Sequence, residues 1–159
     1  MKRRSAFVVT FLAGLLAACS AVQVGSPTSS LRRAEQTWRA QNIASYRIEV
    51  LVVRSVWHAQ SHRIIVRNNQ VESATASCVP APMEAGKCEV EPFEAEDYTV
   101  PGLFAKAYAQ LGSQQAAWTD ITYDQAYGFP RRILYDHPQM VDEDWVWRVT
   151  AFEVLDESR

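Results

Sequence analysis

The chain has 159 residues, of which 16 are basic and 18 are acidic, so its formal charge is −2. This length supports one domain with a hydrophobic core and is short for two. The acidic balance excludes nucleic acid as the expected partner, because such a surface repels phosphate groups.

The N-terminus carries the pattern of an export signal. Three basic residues at positions 2–4 precede an apolar run over 7–16, which is shorter than a membrane-spanning helix. Leu-Ala-Ala then stands directly before Cys19 and resembles the lipobox of bacterial lipoproteins, in which the cysteine becomes the acylated first residue. The sequence therefore predicts a signal peptide over 1–18 and lipidation of Cys19. An ordinary signal peptide with a chance cysteine is the alternative.

Cleavage before Cys19 changes the charge and divides the chain. The mature chain has 13 basic and 18 acidic residues, a formal charge of −5. We expect a lipidated tether over 19–29 and a single domain over 30–159. Fully extended, residues 20–29 reach about 30 Å, so we expect the domain to lie close to the membrane surface. The expected partners are the membrane, through the lipid anchor, and another envelope protein. In a Gram-negative host, Ser20 in place of aspartate after the lipidated cysteine favours the outer membrane, facing the periplasm.

Two further cysteines, Cys78 and Cys88, are expected to form a disulfide. An exported protein folds in an oxidising compartment, where the two cysteines that remain after lipidation of Cys19 are expected to form a disulfide bond. A bridge closing a loop of this size stabilises a fold by about 2 to 3 kcal/mol. A redox-active pair is the alternative, but its two cysteines usually lie two residues apart.

The first predicted elements are a helix and a strand. Apolar residues recur at helical spacing from Leu31 to Trp38, and Ser30 precedes them as the expected N-cap. Residues 46–52 then alternate between apolar and polar, which is typical of a strand with one buried face.

A turn and a hairpin are predicted next. Residues 57–61 have the composition of a turn, so Trp57 is a candidate contact residue for a partner, with packing back onto the helix as the alternative. Strands over 62–67 and 70–77 are joined by Asn68-Asn69, because asparagine tolerates the positive φ of a tight turn.

The second half of the chain repeats this order of one helix and three strands. Residues 78–98 have no periodicity and are predicted to be a loop held by the disulfide. A helix capped by Thr99 ends at Gly112. The strands that follow are predicted over 118–123, 131–136 and 145–155.

The expected fold class is α+β. Two helix-plus-three-strand units (α-β-β-β-α-β-β-β) suggest an internal repeat, although the residues of the two halves do not align. Short connections favour an antiparallel sheet with both helices packed on one face. On the last strand, alternation is expected to place four residues on one side: Trp145, Trp147, Val149 and Ala151.

Few residues have a pattern that predicts catalysis or metal binding. His58 and His62 have a ligand spacing but no third ligand. No Gly-x-Ser-x-Gly turn exposes a nucleophile, so we expect a protein that is not an enzyme and holds no cofactor or metal. A hydrolase that uses His137 and carboxylates is the weakest alternative.

The remaining candidate binding residues are polar residues of the second half, Asp124, Tyr127, Asp136 and Asp144. A small-ligand or calcium site centred on the three aspartates is one interpretation, although the spacing matches no EF-hand loop. In the other interpretation Asp144 lies at a solvated hairpin tip and Asp124 caps its own loop through its side chain.

The segment Tyr123-Asp124-Gln-Ala-Tyr127-Gly128-Phe129-Pro130 resembles a motif of a family of small bacterial lipoproteins of unknown function. Ile43-Ala-Ser45-Tyr46 and the Leu103-Phe104 pair match the same family, and the likeness covers residues 38–154. Asn69 and Pro101-Gly102 depart from its pattern. The resemblance implies a shared fold and a lipid anchor, and it implies no activity.

From these patterns we expect a membrane-anchored lipoprotein of the bacterial envelope. Its expected role is that of a non-catalytic binding or interaction module that uses the open face of the sheet or the 78–98 loop. A small-ligand or calcium-binding periplasmic protein is the alternative.

Overall fold

The computed structural model describes residues 26–55, 58–80, 89–139 and 144–156. The predicted signal peptide, Cys19, Trp57 and Cys88 lie outside these ranges. Lipidation of Cys19, the Cys78 to Cys88 disulfide and the role of Trp57 therefore stay predictions. None of the helices in the described ranges has the length and apolar character needed to span a bilayer.

The order of elements is the predicted α-β-β-β-α-β-β-β, which confirms the α+β class. The helices and strands are α1 (Pro27–Ala40), β1 (Tyr46–Ser55), β2 (His58–Arg67), β3 (Gln70–Cys78), α2 (Val100–Leu111), β4 (Thr119–Tyr123), β5 (Pro130–Tyr135) and β6 (Trp145–Val154). Two short 3-10 turns, Ala95–Tyr98 and Ala116–Trp118, precede α2 and β4.

All six strands form one antiparallel sheet in the order β3-β2-β1-β6-β5-β4. Each half of the chain contributes three neighbouring strands, and β1 pairs with β6 to join the halves. Both helices pack on the same face, which confirms the predicted layering. The opposite face, which lies away from both helices, is called the open face below.

The core lies between the helices and the covered face of the sheet. Trp38 of α1 makes edge contacts with three aromatic rings, those of Tyr46, Phe129 and Phe152, at centroid distances of 5.7, 6.1 and 5.8 Å. The Tyr46 hydroxyl also accepts a hydrogen bond of 3.1 Å from the backbone N–H of Val100, which ties β1 to the start of α2. Aromatic packing of this kind adds to the hydrophobic burial.

Three local predictions are confirmed by the backbone. Asn68 and Asn69 have φ angles of 49° and 63°, as the tight turn between β2 and β3 requires. Thr99 caps α2, because its hydroxyl accepts a hydrogen bond from the N–H of Gly102 at 3.2 Å. Gly112 follows the last residue of that helix.

The first helix begins earlier than the sequence predicts. Its cap is Ser26, whose side chain accepts from the N–H of Ser29, and Pro27 occupies the first turn. Proline suits this position because its φ is already helical and it has no N–H to satisfy. The predicted cap at Ser30 is therefore wrong, and residues 27–29 belong to the helix and not to the tether.

The second strand also begins earlier, since residues 58–61 lie in β2 and not in a turn. Gln60 is only 5% exposed, and its side-chain amide donates to the carbonyl of Glu89 at 3.2 Å. A buried polar side chain with a partner is tolerated in a strand. The polar composition of this segment made it look like a turn.

The prediction of which β6 residues share one face of the sheet is wrong beyond Val149. Val149 pairs with Val50 and Ala151 with Glu49, so β6 has one extra residue, Thr150, at a bulge. The bulge turns Ala151 to the open face and lets Phe152 face the core. Alternation alone does not reveal such an insertion.

The loop before β5 provides a test of this packing. Gly128 has a φ of +83°, and a Cβ added there would lie 2.7 Å from the carbonyl oxygen of Ala34 in α1. We predict that Gly128→Ala lowers the free energy of unfolding by about 1 to 3 kcal/mol, because both the backbone and the contact become strained. Chemical denaturation measures this change.

The matched control is Gly112→Ala, at the end of α2. Gly112 has a φ of −86°, which any residue adopts, so we expect a change below about 1 kcal/mol. Equal losses in the two variants would contradict the assigned role of Gly128.

Candidate functional site

Asp124 holds the loop between β4 and β5. Its Oδ1 accepts hydrogen bonds of 2.9 Å from the backbone N–H groups of both Ala126 and Tyr127, and its Oδ2 lies 3.2 Å from Nη1 of Arg131. The carboxylate is thus occupied within its own loop, as the capping interpretation predicts.

Tyr127 also acts within this loop. Its ring lies 5.0 Å from that of Phe152 and 6.2 Å from that of Phe129. The Gln41 side chain at the end of α1 donates to the carbonyl of Ala126 at 3.3 Å. The loop is therefore a structural connection between α1 and the sheet.

The three candidate aspartates do not form one site. Asp124 precedes β5 and Asp136 follows it, so a six-residue strand separates them by about 20 Å. Asp144 lies at the Asp136 end, where its Oδ1 accepts from the N–H of His137 at 3.3 Å. Within the described ranges, no three His, Cys, Asp or Glu side chains could together hold a metal ion. The proposed centre on Asp124, Asp136 and Asp144 is therefore wrong as a single site.

His137 is built into the end of the hairpin. It is 8% exposed, its ring lies 4.2 Å from that of Trp118, and its Nδ1 accepts from the N–H of Gln139 at 3.2 Å. This nitrogen is occupied by a backbone donor and is not presented as a general base.

His62 is buried beneath the 3-10 turn Ala95–Tyr98 and Phe93, which precedes that turn. It is 2% exposed, stacks on Tyr98 at 3.8 Å and contacts the edge of Phe93 at 4.8 Å. Its Nδ1 has no hydrogen-bond partner among the described residues. Burial, with a smaller contribution from the charge of Arg54, lowers the pKa of His62 to about 4.

The stack beside His62 continues under α2. The ring of Tyr98 lies 4.7 Å from that of Trp147, and the ammonium group of Lys106 lies 4.0 Å from the centre of the Trp147 ring. Burial lowers the pKa of Lys106 as well. The three rings and the Lys106 ammonium group join β2, the 3-10 turn Ala95–Tyr98, β6 and α2. The sequence does not predict this stack, because its members are distant along the chain.

A groove of about 770 Å³ opens between the end of α1 and the start of α2. Its floor is apolar and includes Trp38, Tyr46, Val66 and Val71. Its rim is polar and includes Asn69, Gln70, Glu96 and Asp97. A concave apolar floor with a polar rim is the usual form of a small-ligand site.

The open face carries an apolar strip across four neighbouring strands. Leu134 of β5 lies opposite Val146 of β6, which lies opposite Val53 of β1, which lies opposite Ala59 of β2. All four side chains are half-buried. We call Leu134, Val146, Val53 and Ala59 the apolar strip.

Two arginines lie directly opposite each other beside this strip. Arg132 of β5 pairs in register with Arg148 of β6. Arg148 is exposed and has no carboxylate within ion-pair distance among the described residues. In the described part of the chain, Arg132 has one long contact, 3.8 Å to Asp120, and its buried Nε has no acceptor. Sequence analysis missed this pair, because only the register of β5 against β6 brings the two residues together.

The comparisons identify a family but no function. The family model of DUF6174, a family of unknown function, matches residues 30–154, and the chain belongs to this family. The searches of curated proteins and of solved structures found no match.

The environment of His62 predicts a pH-dependent stability. The unfolded chain binds a proton near pH 6.5, whereas the folded chain binds it only near pH 4. Stability is therefore fully present above pH 6.5 and falls between these values, by at most about 1.4 kcal/mol per pH unit. We expect His62→Phe, which keeps an aromatic ring in the stack, to remove this part of the slope.

Urea unfolding at several pH values between 7 and 4 measures the slope. His62→Gln is the second variant, since it also lacks a titrating group in this range and leaves the stack smaller. Slopes that are the same in the wild type and in both variants would contradict the assignment.

Proposed function

We propose that this member of the family is a lipid-anchored protein of the bacterial cell envelope that acts by binding another envelope protein and not by catalysis. The observation that carries the proposal is the apolar strip on the open face. The outer face of an antiparallel sheet ordinarily presents polar side chains to water. A run of aliphatic side chains across four strands favours an interaction surface.

The sequence of the N-terminus supports the anchor. Leu-Ala-Ala directly before Cys19 resembles the signal for lipidation, and α1 begins as early as Pro27. The intervening residues, 20–26, reach about 25 Å when extended. We therefore propose that the domain works close to the periplasmic surface of the outer membrane, with Cys78 and Cys88 paired in that oxidising compartment.

The placement of the buried histidines supports a role without catalysis. His62 faces a cavity of only about 20 Å³, and His137 is packed against Trp118 with its Nδ1 occupied. A general base must lie within reach of a bound substrate. The contacts of His62 and His137 favour a packing role for both.

Site-specific photocrosslinking in cells tests the binding surface. We expect a photoreactive amino acid at Val146 or Leu134 to give a discrete crosslinked adduct with another envelope protein. The same amino acid at Gln36, exposed on α1, is the matched control and is expected to give none. No adduct from either strip position, or adducts from Gln36 alone, would contradict the proposal.

Metabolic labelling with palmitate tests the anchor. We expect the wild-type chain to incorporate label and to fractionate with membranes. The Cys19→Ser variant is expected to lose both properties, because it lacks the acylated sulfur. Ser20→Ala is the control with an intact lipidation signal. Equal labelling of Cys19→Ser and the wild type would contradict lipidation at this cysteine.

Binding of a small ligand is the second candidate function, and the groove between α1 and α2 favours it. The acidic rim and apolar floor suit a small cationic amphiphile. Ala105 lines the groove, whereas Ala109 is exposed on α2 and is absent from its lining. A tryptophan at position 105 would fill the groove, and the same residue at 109 would not.

Thermal unfolding with a panel of alkylamines tests this candidate. If the groove binds them, the melting temperature rises by about 5 °C or more at a large excess of ligand. We expect Ala105→Trp to abolish the rise and Ala109→Trp to retain it. No rise with any alkylamine, or an equal rise in Ala105→Trp, would contradict the groove as the site.

A further inference from the structure

We propose that Arg132 and Arg148 form an anion-binding site on the open face, and that this site and the apolar strip together bind an acidic, apolar segment of a partner protein. The inference rests on the proposed function and adds the chemistry of the partner. It assigns recognition of carboxylates to the arginine pair and recognition of aliphatic side chains to the strip.

The arrangement of charges on the open face sets this pair apart. Arg47 lies directly opposite Glu153, and the two form an ion pair. Arg63 lies directly opposite Glu49, with 3.2 Å between Nη2 and Oε2. In both of these rows an arginine faces a glutamate across the strands. Opposite charges at such positions stabilise a sheet.

The row of Arg132 and Arg148 breaks this pattern, because an arginine faces an arginine. Side chains at directly opposed positions begin about 4.5 to 5.5 Å apart, and like charges there are destabilising. Arg148 has no carboxylate partner within the described ranges, and Arg132 has only the long contact with Asp120. A carboxylate supplied from outside would bridge the two guanidinium groups and relieve their repulsion.

The neighbours of the pair extend the site. Thr122 lies opposite Arg132 on one side, and Leu51 lies opposite Arg148 on the other. The hydroxyl of Thr122 offers a further donor to a carboxylate oxygen. The row therefore presents donors at one end and an aliphatic side chain at the other.

The apolar strip runs parallel to this row at a short distance. Leu134 is two residues beyond Arg132 on β5, and Val146 is two residues before Arg148 on β6. Two residues along a strand span about 7 Å, so the two rows are adjacent on the same face. A segment in which carboxylates alternate with aliphatic side chains matches both rows at once.

The other charges of the open face favour a protein over an anionic bilayer. Glu49, Glu153 and Asp120 lie on the same face as the arginines. Arg63, Arg47 and Arg132 lie beside these carboxylates, so a negatively charged plane would meet little uncompensated positive charge outside the arginine row. A peptide can present its carboxylates to the one row that lacks its own.

A fluorescent amphipathic peptide of leucine and glutamate is the probe, and the same peptide with glutamine in place of glutamate is its control. We expect the glutamate peptide to bind the wild-type protein about tenfold more tightly than the glutamine peptide, since charge-assisted hydrogen bonds are the stronger ones. Arg148→Gln and Arg132→Gln should each weaken its binding by about tenfold.

Arg47→Gln is the matched control on the same face. Arg47 already has Glu153 as its partner, so its loss is expected to change binding by less than about twofold. The melting temperatures of all variants are measured in parallel, and dissociation constants are compared only for folded variants.

Four outcomes would overturn the inference. They are no binding of the glutamate peptide, equal binding of the glutamine peptide, equal losses in Arg47→Gln and Arg148→Gln, and binding of phosphatidylglycerol vesicles in preference to the peptide. The photocrosslinking at Val146 is independent of these results. If the peptide assay overturns the inference but the Val146 adducts persist in Arg132→Gln and Arg148→Gln, the proposed function still stands. In that case only the acidic chemistry assigned to the partner is wrong.

Discussion

The pairing of β1 with β6 is the constraint on which the rest of the structure depends. It joins two three-stranded halves of the chain into one sheet. On the covered face it sets Val52 opposite Trp147, beneath the helices. On the open face the same pairing sets Leu51 opposite Arg148 and Val53 opposite Val146. Because side chains alternate between faces, one register determines both the core and the proposed binding surface.

The covered face is stabilised by aromatic contacts between segments that are distant along the chain. Trp38 packs against rings from β1, β6 and the loop before β5. The stack of His62, Tyr98 and Trp147 likewise joins β2, the first 3-10 turn and β6. Asp124 and Tyr127 belong to this framework, since Asp124 closes the loop through the N–H groups of Ala126 and Tyr127, and the Tyr127 ring packs against Phe152. The contacts described for the family motif are therefore contacts that stabilise the fold.

Local patterns predicted most of the elements, because caps and alternation are properties of neighbouring residues. The Asn68-Asn69 turn and the Thr99 cap are examples. The predictions failed where tertiary partners decide the outcome. Gln60 lies in a strand because β2 pairs there with Val52 of β1 and Cys78 of β3. Ala151 changes face because of the bulge at Thr150. The Arg132 and Arg148 pair was missed for the same reason, since no pattern within either strand reveals what lies opposite.

The central claim is that the open face is an interface in the envelope. Carbene footprinting of the lipidated protein in native envelope membranes, compared with the purified domain, tests it most directly. The account predicts reduced labelling of Val53, Leu134 and Val146 in the membranes and unchanged labelling of exposed α1 residues such as Gln36. Equal labelling of the strip in both samples, or protection confined to α1, would contradict it.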